Sequence, residues 1–289
     1  MTGMKTLTLI LGLTLISFNS TAIPAAAALA AALKAEDARH FTKAEQLLSN
    51  ITEKNDEVYC HLARVQYRAG NFERASETLE ILHKAAPDHA EGYYLSGLVN
   101  LALLGEVSIF RKIGVAAKAL AAWEAAVQSD PAHIDARYAI FAFYANAPGI
   151  AGGDLDQAKL MAVELESMDP GYGAMAKGLL FSKEGNPEAA EKALIRAAKQ
   201  LGRAGPHFAL AQFYLENERF AEAVAEVEKY QQKEKRWWDA DPAVTHLVMA
   251  QAKNGLGETE AARNELETGL KRNPSKRVRG MLQKALKDL

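Results

Sequence analysis

The feature that most limits the fold of this chain is a helix–turn–helix spacing that returns every ~34 residues, with small side chains at matched depths. The stretch from Asp130-Pro131 to Asp169-Pro170 shows one copy. Ile134, Tyr138, Phe141 and Tyr144 recur at helical intervals and mark a first helix. Asn146-Ala147-Pro148-Gly149-Ile150-Ala151-Gly152-Gly153 then interrupts it, since Pro and Gly punctuate regular structure. Asp154 offers an N-cap, and a second helix runs from Gln157 to Met168.

Other segments follow the same plan. Asp56 to His89 is the most regular, with Ala63 at a small position, Gly70-Asn71 at the turn, Ala75, Leu79 and Leu82 on the second helix, and Pro87 as the stop. Ala25 to about Asn55 is an alanine-rich first hairpin, and three more copies span Gly171 to Gly202, Ala204 to Glu234 and Ala243 to Pro274. Three places break the period. The copy from Ala90 to His133 is about ten residues long for its type, around Gly105–Gly114, and the Asn146–Gly153 loop has about five extra residues. A segment of about seven residues that includes Trp237-Trp238 separates two further copies. Ser275 to Leu289 is a last amphipathic helix with Val278, Met281, Leu282, Ala285 and Leu286 on one face, the polar-sided end that a stacked array needs.

This pattern resembles the tetratricopeptide repeat (TPR) family, which places a small residue at the eighth position, alanine at the twentieth and proline near the thirty-second. The resemblance covers nearly all of Ala25–Leu289 and implies an all-α, right-handed superhelical solenoid of about six hairpins with a capping helix over 275–289. Small residues let helices approach within about 10 Å, and each hairpin leaves an apolar face that only the next one covers. The family builds its concave wall from first helices. Its offsets point to Glu57, Cys60, Arg64, Tyr67 and Arg68, then Glu91, Tyr94, Leu98 and Leu101, then Asp135, Tyr138, Ala142 and Asn146, with Tyr172, Met175, Phe208 and Leu247 further along. The Tyr144-Ala145-Asn146-Ala147-Pro148 to Gly152-Gly153 turn is also similar to a loop of exported bacterial TPR proteins. Some of those, including TPR partners of TRAP-type transporters, bind periplasmic proteins or small ligands. This chain departs from several of them in lacking a lipid-anchor cysteine.

Residues 1–22 read as a secretory signal peptide: Lys5 supplies the charge, Thr6–Ile16 the apolar run and Ser20-Thr21-Ala22 the small residues before a cut. The expectation is an exported chain, periplasmic in a Gram-negative cell, with no transmembrane span in its mature part. Thirty-four basic residues against 36 acidic ones give a net charge of −2, without the basic excess of a nucleic-acid binder. The single cysteine, Cys60, has no partner for an internal disulfide and reads as a small packed side chain.

Chemistry-bearing motifs are scarce. The seven histidines show no metal-ligand spacing, and His89 and His133 stand at equivalent positions after proline stops. Asp154-Leu155-Asp156 lacks the alternating carboxylates of a calcium loop, and no phosphate loop or nucleophile elbow occurs. The chain therefore reads as a non-enzymatic scaffold without cofactor or metal, taking a peptide or protein partner in the concave groove through Arg64, Tyr67, Arg68, Tyr94, Tyr138 and Asn146. Arg64 and Arg68 lie one helical turn apart and can share one carboxylate. The tyrosines offer flat amphipathic contacts. The alternative is a small-molecule-binding component of a periplasmic uptake system, with its pocket beside Asn146–Gly153 and the aromatics Phe141, Phe143 and Tyr144. The Trp237-Trp238 pair is expected to fold over the neighbouring hairpin.

Overall fold

The computed structural model describes residues 25–105, 107–272 and 274–289, with the side chains of 109 and 110 set aside. The signal-peptide reading of residues 1–22 lies outside the described residues. Fifteen α-helices follow one another among the described residues. They are α1 (Ala25–Asp37), α2 (Phe41–Ser49), α3 (Asp56–Ala69), α4 (Phe72–Ala85), α5 (Ala90–Leu103), α6 (Ile109–Ser129), α7 (Ile134–Asn146), α8 (Leu155–Met168), α9 (Pro170–Lys183), α10 (Pro187–Leu201), α11 (Ala204–Glu216), α12 (Phe220–Gln232), α13 (Pro242–Gly255), α14 (Thr259–Lys271) and α15 (Lys276–Asp288). Each odd-numbered helix pairs with the one after it, so the described residues form seven hairpins and a final helix. All seven segments read from the sequence are hairpins, the alanine-rich first one included, against an expected total of about six.

Local chemistry fixes the ends of these helices. Asn55, Asp154, Asp169 and Asn186 accept backbone N–H groups at the starts of α3, α8, α9 and α10. Gly70 and Gly202 end α3 and α10 in the left-handed region, where a side chain would be strained. Packing follows the small positions. A Cβ on Gly97 would lie 2.1 Å from Nε1 of Trp123, whose indole instead donates to the Tyr94 carbonyl at 3.2 Å. Ala63, Ala75, Leu82, Leu95 and Val99 knit the second hairpin to the third, and Ala162, Leu165, Tyr172 and Ala176 knit the fourth to the fifth.

First helices touch one another along the stack (α3 with α5, α7 with α9, α11 with α13, α13 with α15), and so form its inner face. The curve is tight enough to bring its ends together. Arg39, in the α1–α2 turn, donates to Asp241 at 2.7 Å and to the Arg272 carbonyl at 3.2 Å.

Candidate functional site

Phe208 of α11 and Leu247 of α13 pack in core clusters, and the structure divides the other inner-face residues expected from sequence, on α3, α5, α7 and α9, into two sets. Arg64 and Arg68 do converge on one carboxylate, but it belongs to the chain itself. Glu36 of α1, 2 % exposed, receives Arg64 through Nε at 2.9 Å and Nη2 at 2.7 Å, and Arg68 through Nη1 at 2.8 Å. This corrects the expectation that the pair awaits a partner's acid. Burial alone would raise the Glu36 carboxyl, but hydrogen bonds and charge from Arg64, then Arg68, hold it below its ordinary range.

The second correction concerns the tryptophans. Both tryptophans pack, as expected, but against distant hairpins and not the neighbouring one. The segment between α12 and α13 crosses the inner face as a strap and reaches α3, α5, α7 and α9. Trp237 donates from Nε1 to Glu91 at 3.2 Å, sits edge-on to Tyr67 and Tyr94, each 6.3 Å away, and lies 5.8 Å from the Arg64 guanidinium. Trp238 packs on Tyr94 at 5.7 Å. Arg236 donates from Nη1 to Asp135 Oδ2 at 2.6 Å and to the Tyr172 hydroxyl at 2.9 Å, while that hydroxyl donates to the other Asp135 oxygen. A turn holds the strap in shape: the Arg236 N–H donates to Asp239 Oδ2 at 2.7 Å, and Tyr230 donates to the Ala240 carbonyl. Burial first, then Asp135, pushes the Tyr172 phenol up to about 12, so it stays a donor at neutral pH.

Beside the strap the inner face keeps a cavity of about 790 Å³, and a second of about 550 Å³ lies against the strap among Tyr67, Arg68, Trp237 and Trp238. Tyr94, Tyr138 and Asn146 of the expected set line the larger one, together with Leu98, Leu101, Ala142 and Met175. Arg64, Tyr67 and Arg68 do not. Further walls come from the start of α11, through Arg203, Gly205 and Pro206, and from the three segments that break the repeat period. The extra length around Gly105–Gly114 lengthens α6, whose first turns supply Lys112, Ile113 and Ala116. The long α7–α8 loop forms a 3-10 turn at Gly149–Ala151, touches α6, and supplies Pro148, Ile150 and Ala151. The strap supplies Trp238 and Asp239.

The glycine pair in that loop has a backbone cause. Gly152 sits at φ +96°, and a Cβ on Gly153 would fall 1.7 Å from the Ala147 carbonyl oxygen. Asp154 caps α8 by accepting from the N–H groups of Asp156 and Gln157. That accounts for both features without an anion or calcium site.

Family profiles described as tetratricopeptide repeat match residues 25–98 and 175–241. The chain is a tetratricopeptide repeat protein. The residues between the two matches hold both the long α6 and the long α7–α8 loop. No match is found among curated protein sequences. Among solved structures, the chain is similar to a tetratricopeptide repeat protein from Parabacteroides merdae, 15 % identical over 91 % of this chain and 97 % of that one, with a TM-score of 0.52. It is also similar to the human IFIT1 dimer with PPP-AAAA, at 17 % identity over 86 % of this chain and 55 % of that one, with a TM-score of 0.55. At these identities the likeness is one of fold.

Tetratricopeptide repeat proteins are generally interaction scaffolds and typically non-catalytic, and no enzyme family matches this one. Several of its titratable side chains have structural work. His89 and His133 cap α5 and α7 through Nδ1, and the Nε2–H of His133 faces Glu91 at 3.3 Å. His207 and His246 occupy matching places in α11 and α13 and pair with Glu226 and Glu265 at 2.7 and 2.8 Å. Cys60 is buried among Ala63, Leu79, Leu95 and Val99, and burial, then Glu91, pushes its thiol up to about 12. No helix among the described residues is long and apolar enough to cross a membrane, and no cluster of metal-ligating side chains occurs among them.

Sequence reasoning missed the strap's destination and the cavity. The three length excesses were the signal, but a count of residues does not say that three insertions, up to about 130 residues apart, meet at one place.

Proposed function

We propose that this tetratricopeptide repeat protein is a non-enzymatic binding scaffold of the cell envelope, which receives an apolar group presented by a protein or peptide partner in the inner-face cavity. One observation carries the reading: the three departures from the repeat period all contribute walls to that cavity. A solenoid needs none of them to stack its hairpins, and long insertions are commonly functional. The lining is mostly carbon, with Leu101 and Ile113 each 45 % exposed and Ile150 80 % exposed at its rim. Apolar side chains held in water at the lip of a hollow are what a docking partner covers. The envelope location rests on the leader pattern of residues 1–22, and sequencing the mature N-terminus tests it.

The binding claim is tested by a photo-crosslinking residue in place of Ile113, used on the exported fraction. The expected result is a discrete adduct that disappears when Ala142→Trp fills the cavity and persists when an exposed convex residue such as Val163 is changed to Ser. An adduct indifferent to Ala142→Trp overturns the assignment. A second reading, a small-molecule-binding component associated with a TRAP-type uptake system, is supported by the cavity's size, which lies in the range of single-ligand sites. Native mass spectrometry of freshly purified protein separates the two: a co-purifying small molecule favours the second, a clean mass the first.

A further inference from the structure

We propose that the apolar group is an acyl chain with an anionic head, the chain lying along the faces of α5, α7 and α9 and the head beside Lys112. The inference rests on the cavity being a binding site, as argued above, and names what it takes.

The walls favour a hydrocarbon over a polypeptide segment. Leu98, Leu101, Ala139, Ala142 and Met175 project from helices whose backbone groups are bonded within those helices. A peptide would bring an N–H and a C=O with every residue and find few free partners for them, which is unfavourable. The charged side chains at the inner end are already engaged. Asp135 holds Arg236 and Tyr172, Arg203 lies 4.7 Å from the Tyr172 ring, and Asp239 holds the Arg236 N–H. Asn146 donates its amide to the Ala142 carbonyl. A saturated chain makes no demand on any of them.

Charge places the head group. At the inner end Asp135 and Asp239 are balanced by Arg203 and Arg236, and these two aspartates are the only acids among the described residues lining the cavity. Lys112, exposed on the first turns of α6, stands at the outer end with the exposed Leu101, Ile113 and Ile150. An anion there gains the lysine's attraction, and the first methylenes cover the apolar rim.

The chemistry is shared by a free fatty acid, a phospholipid and an acylated polypeptide, and the test separates them. Delipidated full-length mature protein is loaded with dansyl-undecanoic acid, then challenged with palmitate, hexadecanol, a palmitoylated peptide or phosphatidylglycerol vesicles. The expected result is one probe per chain, displaced by palmitate. Ala142→Trp should weaken binding at least tenfold. Lys112→Glu should weaken palmitate several-fold and leave hexadecanol unchanged. Leu101→Asp, at a half-exposed rim position, gives a second blocked variant should Ala142→Trp fail to fold. Whichever of palmitate, peptide or vesicles binds most tightly identifies the source. Failure of all three to displace the probe, or displacement indifferent to both blocking variants, overturns the proposal. If the Ile113 adduct is nevertheless lost in Ala142→Trp, only the acyl assignment falls. If that adduct also persists, the cavity reading falls with it.

Discussion

Replacing Glu36 by Gln tests the most consequential correction, that Arg64 and Arg68 are structural. The carboxylate accepts three charge-assisted hydrogen bonds of 2.7 to 2.9 Å at a position 2 % exposed. Glutamine keeps one acceptor oxygen but turns an amide N–H₂ toward a guanidinium and removes the charge that two arginines share. Breaking a buried pair from one side costs about 3–5 kcal/mol. The arginine side chains are 18 % and 19 % exposed and regain some hydration, so the lower end, about 3 kcal/mol, is the better figure. In a chain of this size that is a fall of roughly 6–12 °C in melting temperature. A stack of repeats can also lose its end before its middle, so the effect should concentrate in α1–α3. Hydrogen exchange read by mass spectrometry should show protection there reduced on the order of a hundredfold, with α9–α14 little changed. The charge reversal Arg64→Glu with Arg68→Glu should be worse, since it sets three carboxylates together and detaches the first hairpin. A Glu36→Gln melt within about 1 °C of the parent, or a double reversal with unchanged exchange in α1 and α2, would refute the reasoning and return both arginines to the role of partner ligands.

Further expectations follow from the same contacts. Glu36 and Glu265 both titrate below their ordinary value of 4.5, in each case because basic neighbours outweigh burial. Their stabilisation is therefore complete above that value and is lost as pH falls through the lower folded value. Denaturant titrations should show stability declining as pH falls below 4.5, less steeply in Glu36→Gln. Trp237→Ala with Trp238→Ala removes the ring contacts to Tyr67 and Tyr94 while sparing both flanking helices. Protease nicking should then move to residues 233–241, with helical circular dichroism within a few per cent of the parent; an unchanged cleavage map would argue against the strap. Gly153→Ala should cost several kcal/mol, because its methyl group meets the Ala147 carbonyl and no side chain can relax to make room. Cys60 should resist iodoacetamide at pH 8 and react only as fast as α3 opens, faster in Glu36→Gln than in the parent.

The fold was legible because its signals are local. The small residue at Gly97, the alanines at Ala63 and Ala75 and the stop at Pro131 act within one or two hairpins, where spacing along the chain is spacing in space. The His89 and His133 caps were foreshadowed in the same way, by their equal places after proline stops. Within the site, Tyr94, Tyr138 and Asn146 follow from the register of a first helix, which fixes the face a side chain takes.

What the sequence determined alone is the hairpin, because helix period, turn residues and close-approach positions are properties of some 34 consecutive residues. Tertiary structure decided the rest. Glu36 reaches Arg64 and Arg68 across 28 and 32 residues, Trp237 reaches Glu91 across 146, and Arg236 reaches Asp135 across 101. The two strap pairings depend on the curvature accumulated over several hairpins, while Glu36 meets its arginines across the single junction between the first and second hairpins. Small rotations at each junction add up along the stack, and no single junction encodes their sum. Whether the inner face is an open trough or a strapped hollow is settled by that sum.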